Sequence, residues 1–245
     1  MTRSRLLGLT IGLAGMLALA LPGLASAALN GAGSTLVAPL RTNWISGFEA
    51  GGGTSVKYSA VGSGEGIKQI SNGTVDFGAS DAPMTAEQEA GCSECLTIPW
   101  ALSATGVGYN VPGVNKLNLS GTVLAEIYLG KIKKWNDPKI AALNPKAKLP
   151  GTKITPVFRS DGSGDTYAFT NFLAKASPTW RSQNGFGTSV GFGAGVGAKG
   201  NTGVTSLVHG TAGAIGYISA AYLIAGGLKV AAIENRAGNF EFPNL

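Results

Sequence analysis

Between residues 157 and 170 the chain reads VFRSDGSGDTYAFT, a stretch that can hold an oxyanion. Arg159 brings a full positive charge on a planar fork of donors that suits a tetrahedral anion. Ser163 is placed to cap a helix over 165–174, which leaves the amides of Gly164, Asp165 and Thr166 pointing outward, unpaired and partly positive. Compact polar groups recur at three other strand-to-helix turns: Thr35 after GAGS, Ser63 in VGSGEG, and Ser80-Asp81. Taken singly, each is ordinary capping or turn chemistry, and Asp161 could simply hold Arg159 in place. Their combination suits one small tetraoxyanion.

The elements that must position these groups follow the same rhythm. Residues 28–33 read as a short strand, and 38–50 as a helix with Pro39 in its first turn and Leu40, Trp44 and Phe48 at fourfold spacing. Residues 55–61 alternate like a strand, GSGEG opens a short helix over 67–72, and 75–79 is a strand again. This β-α-β-α-β order, with Gly, Ser, Thr or Asp closing each strand, places a ligand site at the carboxyl ends of a sheet. A strand at 105–109 follows, then helices at 120–129 and 139–143 around a WNDP turn, and a strand at 154–158. Residues 185–203 are glycine-rich and read as loop and irregular strand, before a helix at 204–210, a strand at 214–218 and a helix at 220–225. The expected division is a signal peptide at 1–27, an α/β lobe at 28–102, a second at 103–230 and a C-terminal segment at 231–245. All four tryptophans, Trp44, Trp100, Trp135 and Trp180, read as core or loop-packing residues.

Composition narrows the class. Arg3 and Arg5 precede an apolar run from Leu6 to Leu21 and then Ala25-Ser26-Ala27, the pattern of a secretory signal cleaved near Ala27. Without it, 218 residues remain, enough for one large domain or two small lobes, and the net charge falls from +6 to +4. That charge reads as dispersed, so nucleic acid is not an expected partner. Cys92 and Cys95 favour a local disulfide in an exported chain, with a redox pair or two free thiols as alternatives. GAKGNTG lacks the order of a phosphate-binding P-loop, and neither VGSGE nor DGSGD meets GxSxG. His209, the one histidine, sits where a surface or packing role is expected. No catalytic group, metal site or cofactor is expected.

The stretches GAGSTLVAPL, YSAVGSGEGIKQISNGTVDFGASDAPM, LAEIYLGKIKKWNDPKIAALNP, ITPVFRSDGSGDTYAFTNFLAK and GNTGVTSLVHGTAGAIGYISAAYL closely resemble the periplasmic phosphate-binding proteins of Pst-type ABC transporters. The resemblance implies an α/β type II periplasmic-binding-protein fold, two lobes closing on phosphate, and a membrane permease as partner. It implies a ligand set of Thr35, the Leu36 amide, Ser63, Asp81, Arg159, Ser163, the Gly164 amide and Asp165, with Asp161 orienting Arg159. Asp81 would reject sulfate, because a carboxylate tolerates the anion only where a ligand proton lies between them. Two departures stand out. Asp165 replaces a common threonine, which predicts a bias toward H2PO4⁻. Family members usually continue past the point matching Asn239–Pro243, so the resemblance implies a fragment, a first lobe completed by another chain, or a reduced first lobe, and an incomplete lobe favours self-association. The competing expectation is an extracellular structural or adhesive protein that reuses this fold. A secreted phosphomonoesterase lacks an assembled nucleophile and metal or acid.

Overall fold

The computed structural model describes residues 27–243, so the expected signal peptide lies outside the described residues apart from Ala27. The chain begins with β1 (Leu29–Gly33), α1 (Ala38–Ala50), β2 (Val56–Ala60), α2 (Ser63–Ser71) and β3 (Phe77–Ala79). The three strands form a parallel sheet in the order β2-β1-β3, and Gly33 is in register with Ala60 on one side and Ala79 on the other. All three strands therefore stop along one line, and the polar turns that follow them meet there. The short α3 (Ala86–Ala90) is closed by a reciprocal capping box between Thr85 and Gln88. Cys92 and Cys95, just beyond it, are joined by a disulfide, as expected.

The chain then crosses to a second lobe through β4 (Thr105–Asn110), β5 (Asn118–Leu119), α4 (Gly121–Tyr128), α5 (Pro138–Leu143) and β6 (Thr155–Arg159). It continues with α6 (Gly164–Ala176), α7 (Pro178–Gln183), β7 (Val196–Ala198), α8 (Gly200–Gly210), β8 (Ala214–Ser219) and α9 (Ala220–Ala225). β9 (Lys229–Val230) completes a five-stranded sheet, β7-β6-β8-β4-β9, in which β4 runs antiparallel to β8. β10 (Ala232–Glu234) and β11 (Phe240–Glu241) join β5 in a small sheet, and Ala231 and Ala232 are buried.

The core is uneven. Lobe 2 buries Leu124, Ile127, Tyr128, Trp135, Leu173, Trp180, Ile215 and Tyr217 almost completely. Tyr128, Trp135 and Trp180 each bring a polar atom inside, and each donates it to a backbone carbonyl. Lobe 1 has a small cluster, Leu36, Val37 and Ala79, with Tyr58 against it. The fourfold stripe of α1 does not enter a core: the helix buries no residue, and Trp44 and Phe48 stay 51% exposed. Trp44 and Trp100 meet edge to face, so they are packing partners at the surface, unlike Trp135 and Trp180. They border an apolar groove of about 790 Å³ between α1, α2, β3 and residues 92–100.

The structure corrects four expectations. α2 starts at Ser63 rather than 67, and α8 at Gly200 rather than 204, because Gly62 and Gly200 adopt positive φ and let the chain turn directly into the helix. α3 and α7 are helices that their short, polar sequences concealed. The charge is not evenly dispersed: seven lysines fall between 131 and 153, and a bridge pairs two of them, Lys134 and Lys153, just before β6. Among the described residues, no helix is long and apolar enough to cross a membrane.

The contrast between packed and bare apolar side chains is measurable. Leu124→Ala, which empties a fully buried position, is expected to cost about 2–5 kcal/mol in urea unfolding. Ile224→Ala, at a site 78% exposed, should stay within about 0.5 kcal/mol of wild type.

Candidate anion-binding site

The carboxyl edge of the first sheet builds one wall. The Gly33 carbonyl accepts the amides of Val61 and Gly62, and the Ser34 amide donates to Ala79, so the three strand ends are stitched together. Ser34 Oγ, 1% exposed, donates to Asp81 Oδ2 at 2.5 Å and accepts the Leu36 amide at 3.0 Å. Ser63, the first residue of α2, uses its whole hydroxyl. It donates to Asp81 Oδ2 at 3.1 Å and accepts the amides of Asp81 at 3.2 Å and Gly164 at 3.1 Å. Gly62 before it holds φ +101, and a Cβ there would lie 2.6 Å from the Gly162 carbonyl oxygen. No larger residue fits between the lobes at that point.

The facing wall comes from lobe 2. β6 ends at Arg159, whose guanidinium is buried between two acids. Nε donates to Asp161 Oδ1 at 2.7 Å, Nη2 to Asp161 Oδ2, and Nη1 to Asp165 Oδ2 at 3.2 Å. Its backbone amide donates to the Tyr217 hydroxyl at 2.9 Å. Ser163 caps α6 by accepting the Thr166 amide, while its own amide donates to the Thr188 carbonyl. Asp165 accepts Thr105 Oγ1 at 2.6 Å and Asn201 Nδ2 at 2.7 Å, and Asn201 Nδ2 also reaches Thr35 Oγ1 across the cleft at 2.9 Å. Gly164 must be glycine, since a Cβ would fall 2.4 Å from the Asp81 side chain.

Burial governs the charges here. It pushes the Asp81 carboxyl up to about 6, with the Asp165 charge acting in the same sense against the Ser34 and Ser63 hydroxyls and Arg159. Burial also raises the Asp165 carboxyl, although Thr105, Arg159 and Asn201 all favour its anion. Burial would lift Asp161 as well, but the Arg159 bonds and the Gly200 amide carry it below the usual range. The site thus holds one firmly ionised ion pair, Arg159 with Asp161, and two carboxyls that keep their protons more readily. Asp81 Oδ2 takes both serine hydroxyls, while among the described residues Oδ1 makes no hydrogen bond.

The eight residues expected as ligands lie around this cleft, and Asp161 accepts from Arg159. The Leu36 amide is turned onto Ser34, however, and the Asp165 carboxylate already accepts three donors. Ser34, Thr105, Asn201 and Tyr217 were not among the expected site residues. Ser34 had a signal in GAGST, next to Thr35. Asn201 follows Gly200 in a stretch read as loop, whereas Thr105 and Tyr217 sit inside strands with nothing local to mark them.

A family described as the PBP superfamily domain matches residues 22–243. The chain belongs to the PBP superfamily. Among relatives of this superfamily chain, the phosphate-binding protein PstS of Xylella fastidiosa (strain Temecula1) is 42% identical over 226 residues, covering 89% of this chain and 60% of the relative. PstS of Haemophilus influenzae is 44% identical over 220 residues, covering 88% and 65%. The chain thus spans less than two thirds of the length of these curated relatives. A Clostridium perfringens protein solved with bound phosphate shares the fold at a TM-score of 0.68 and 22% identity, over 84% of this chain and 76% of that one. These matches bear out the α/β type II periplasmic-binding-protein fold.

The pH behaviour of Asp81 follows from its surroundings. Because its folded pKa is raised, its contribution to stability is full below the ordinary carboxylate range and is lost as pH rises through about 6. Asp81→Asn can keep one oxygen on both serines and does not titrate. Between pH 4 and pH 8, wild type is expected to lose about 1–3 kcal/mol relative to this variant in urea unfolding.

Proposed function

We propose that the chain is a non-enzymatic, exported receptor that captures inorganic phosphate between its lobes and delivers it to the membrane permease of a phosphate ABC transporter. It would act in the periplasm, or outside the cell, after cleavage near Ala27. The reading takes 28–102 and 103–230 as the two lobes. It takes Thr35, Leu36, Ser63, Asp81, Arg159, Ser163, Gly164 and Asp165 as the ligand set, with Asp161 holding Arg159. The curated relatives carry the name of phosphate-binding proteins, which supports the substrate class.

One observation carries the reading furthest: Asp81 Oδ2 takes two serine hydroxyls while, among the described residues, Oδ1 makes no hydrogen bond. An acceptor of this kind beside Arg159 favours an anion that brings its own proton. Phosphate does so near neutral pH and sulfate does not, so sulfate would leave a buried charge unpaired. Three carboxyls surround one guanidinium, so recognition relies on directed donors and ligand protons rather than on net positive charge.

Calorimetric titration of the ligand-stripped protein tests this. Tight phosphate binding with no sulfate heat is expected, and affinity should be weaker at pH 8.5 than at pH 6 because Asp81 and Asp165 favour the more protonated ligand. No phosphate binding by the folded chain overturns the receptor reading, and equal affinity at the two pH values overturns the proton bias.

The bare apolar side of lobe 1, with Trp44, Phe48, Leu96 and Ile98 exposed, favours a second reading in which the fold serves an assembling extracellular protein. Light scattering over a concentration series separates them: that reading expects mass to grow with concentration, and the receptor reading expects constant mass with phosphate bound.

A further inference from the structure

We propose that Asn201 is a positioning residue that latches the two lobes together and presets Thr35 as a donor to the bound anion. Its amide lies on the lobe 2 side, 1% exposed, in the first turn of α8. Oδ1 accepts the Ser219 backbone amide at 2.8 Å, which fixes the amide plane and turns Nδ2 toward the cleft. The two Nδ2 hydrogens then go to different lobes, one to Thr35 Oγ1 at 2.9 Å and one to Asp165 Oδ2 at 2.7 Å. Both amide hydrogens and the oxygen of the side chain are engaged. Aspartate at 201 would set a second carboxylate against Asp165, and an aliphatic residue would strand the Ser219 amide.

The consequence for Thr35 is directional. Its oxygen accepts from Asn201, so its own hydroxyl hydrogen is free to point into the cleft, and the relay Asn201 to Thr35 to anion is polarised in one sense. The same turn acts on both acids beside Arg159. The Gly200 amide donates to Asp161 Oδ1 at 3.0 Å while the Asn201 side chain holds Asp165. Among the described residues two other hydrogen bonds cross between the lobes, the Gly64 amide to the Gly162 carbonyl and the Gly164 amide to Ser63 Oγ, both at 3.1 Å and both at the entry to α6. Asn201 adds a crossing from a different element, so rotation of lobe 1 about the 162–164 turn is blocked only while it holds.

The role of Thr35 as a ligand donor rests on the phosphate reading, whereas the latch does not, and the test keeps them apart. Asn201→Ala, Thr35→Val and the double variant would be compared by amide hydrogen exchange at Gly64 and Gly164 without ligand, and by phosphate titration. Each single variant is expected to speed exchange at both glycines and to weaken phosphate binding by roughly tenfold to a hundredfold. The double variant should be little worse than the poorer single one, because both remove the same contact. Wild-type exchange at Gly64 and Gly164 in folded Asn201→Ala, or fully additive losses, overturns the proposal. If that variant does not fold, Thr35→Val decides by the same exchange measurement, since it leaves the Asp165 contact in place. If wild type binds no phosphate, the receptor reading and the Thr35 donor role fall together, and exchange still decides the latch.

Discussion

The burial of Arg159 between Asp161 and Asp165 is the constraint that the rest of the site answers to. A guanidinium on a side chain only 1% exposed is costly unless its donors are met, and here each nitrogen finds a carboxylate oxygen. The acids in turn need donors, so Gly200, Asn201 and Thr105 are drawn in from α8 and the lobe crossing. One buried charge thereby ties together the end of β6, the start of α6, the start of α8 and the first residue of β4. Because the pair is neutral as a unit, what the cleft presents is a prearranged set of dipoles rather than a net charge.

Behind Arg159 the support is aromatic. The Tyr217 hydroxyl accepts the Arg159 amide and bonds Thr166 Oγ1, while its ring stacks on Phe169 and lies against Tyr128 and Phe192. Burial pushes its phenol up to about 12, so it stays a neutral hydrogen-bonding group through the physiological range. The rigid core of lobe 2 thus reaches the cleft through a single tyrosine. Lobe 1 has a smaller counterpart: the Tyr58 hydroxyl donates to the Ser34 carbonyl at 2.9 Å while its ring stacks on Phe77.

The sequence made the α/β order and the bounds of α1 and α9 legible, because apolar spacing and proline placement are local signals. Arg159, Asp161 and Ser163 were legible for the same reason, lying within five residues of one another at a strand-to-helix turn. What escaped were contacts made by folding alone. Thr105 meets Asp165 across 60 residues and Asn201 meets Thr35 across 166, and nothing in either neighbourhood announces the partner. The starts of α2 and α8 were obscured because glycine carries no helical propensity, although a positive φ at Gly62 and Gly200 is what admits those starts. The stripe on α1 misled in the opposite sense: its spacing is right for a buried face, but the sheet beneath offers only three short strands to cover it.

The unequal cores have a consequence for cooperativity. Lobe 2, with its aromatic interior, sets the upper limit of resistance to opening, whereas lobe 1 rests on a handful of small buried side chains and can come apart at lower free energy as its own folding unit. The two walls of the cleft then belong to regions of different persistence. Arg159, Asp161 and Asp165 are anchored on the larger core, and Ser63 and Asp81 on the smaller one. A ligand that bridged both walls would favour the form in which both are ordered, and its binding free energy would add to the persistence of the weaker lobe.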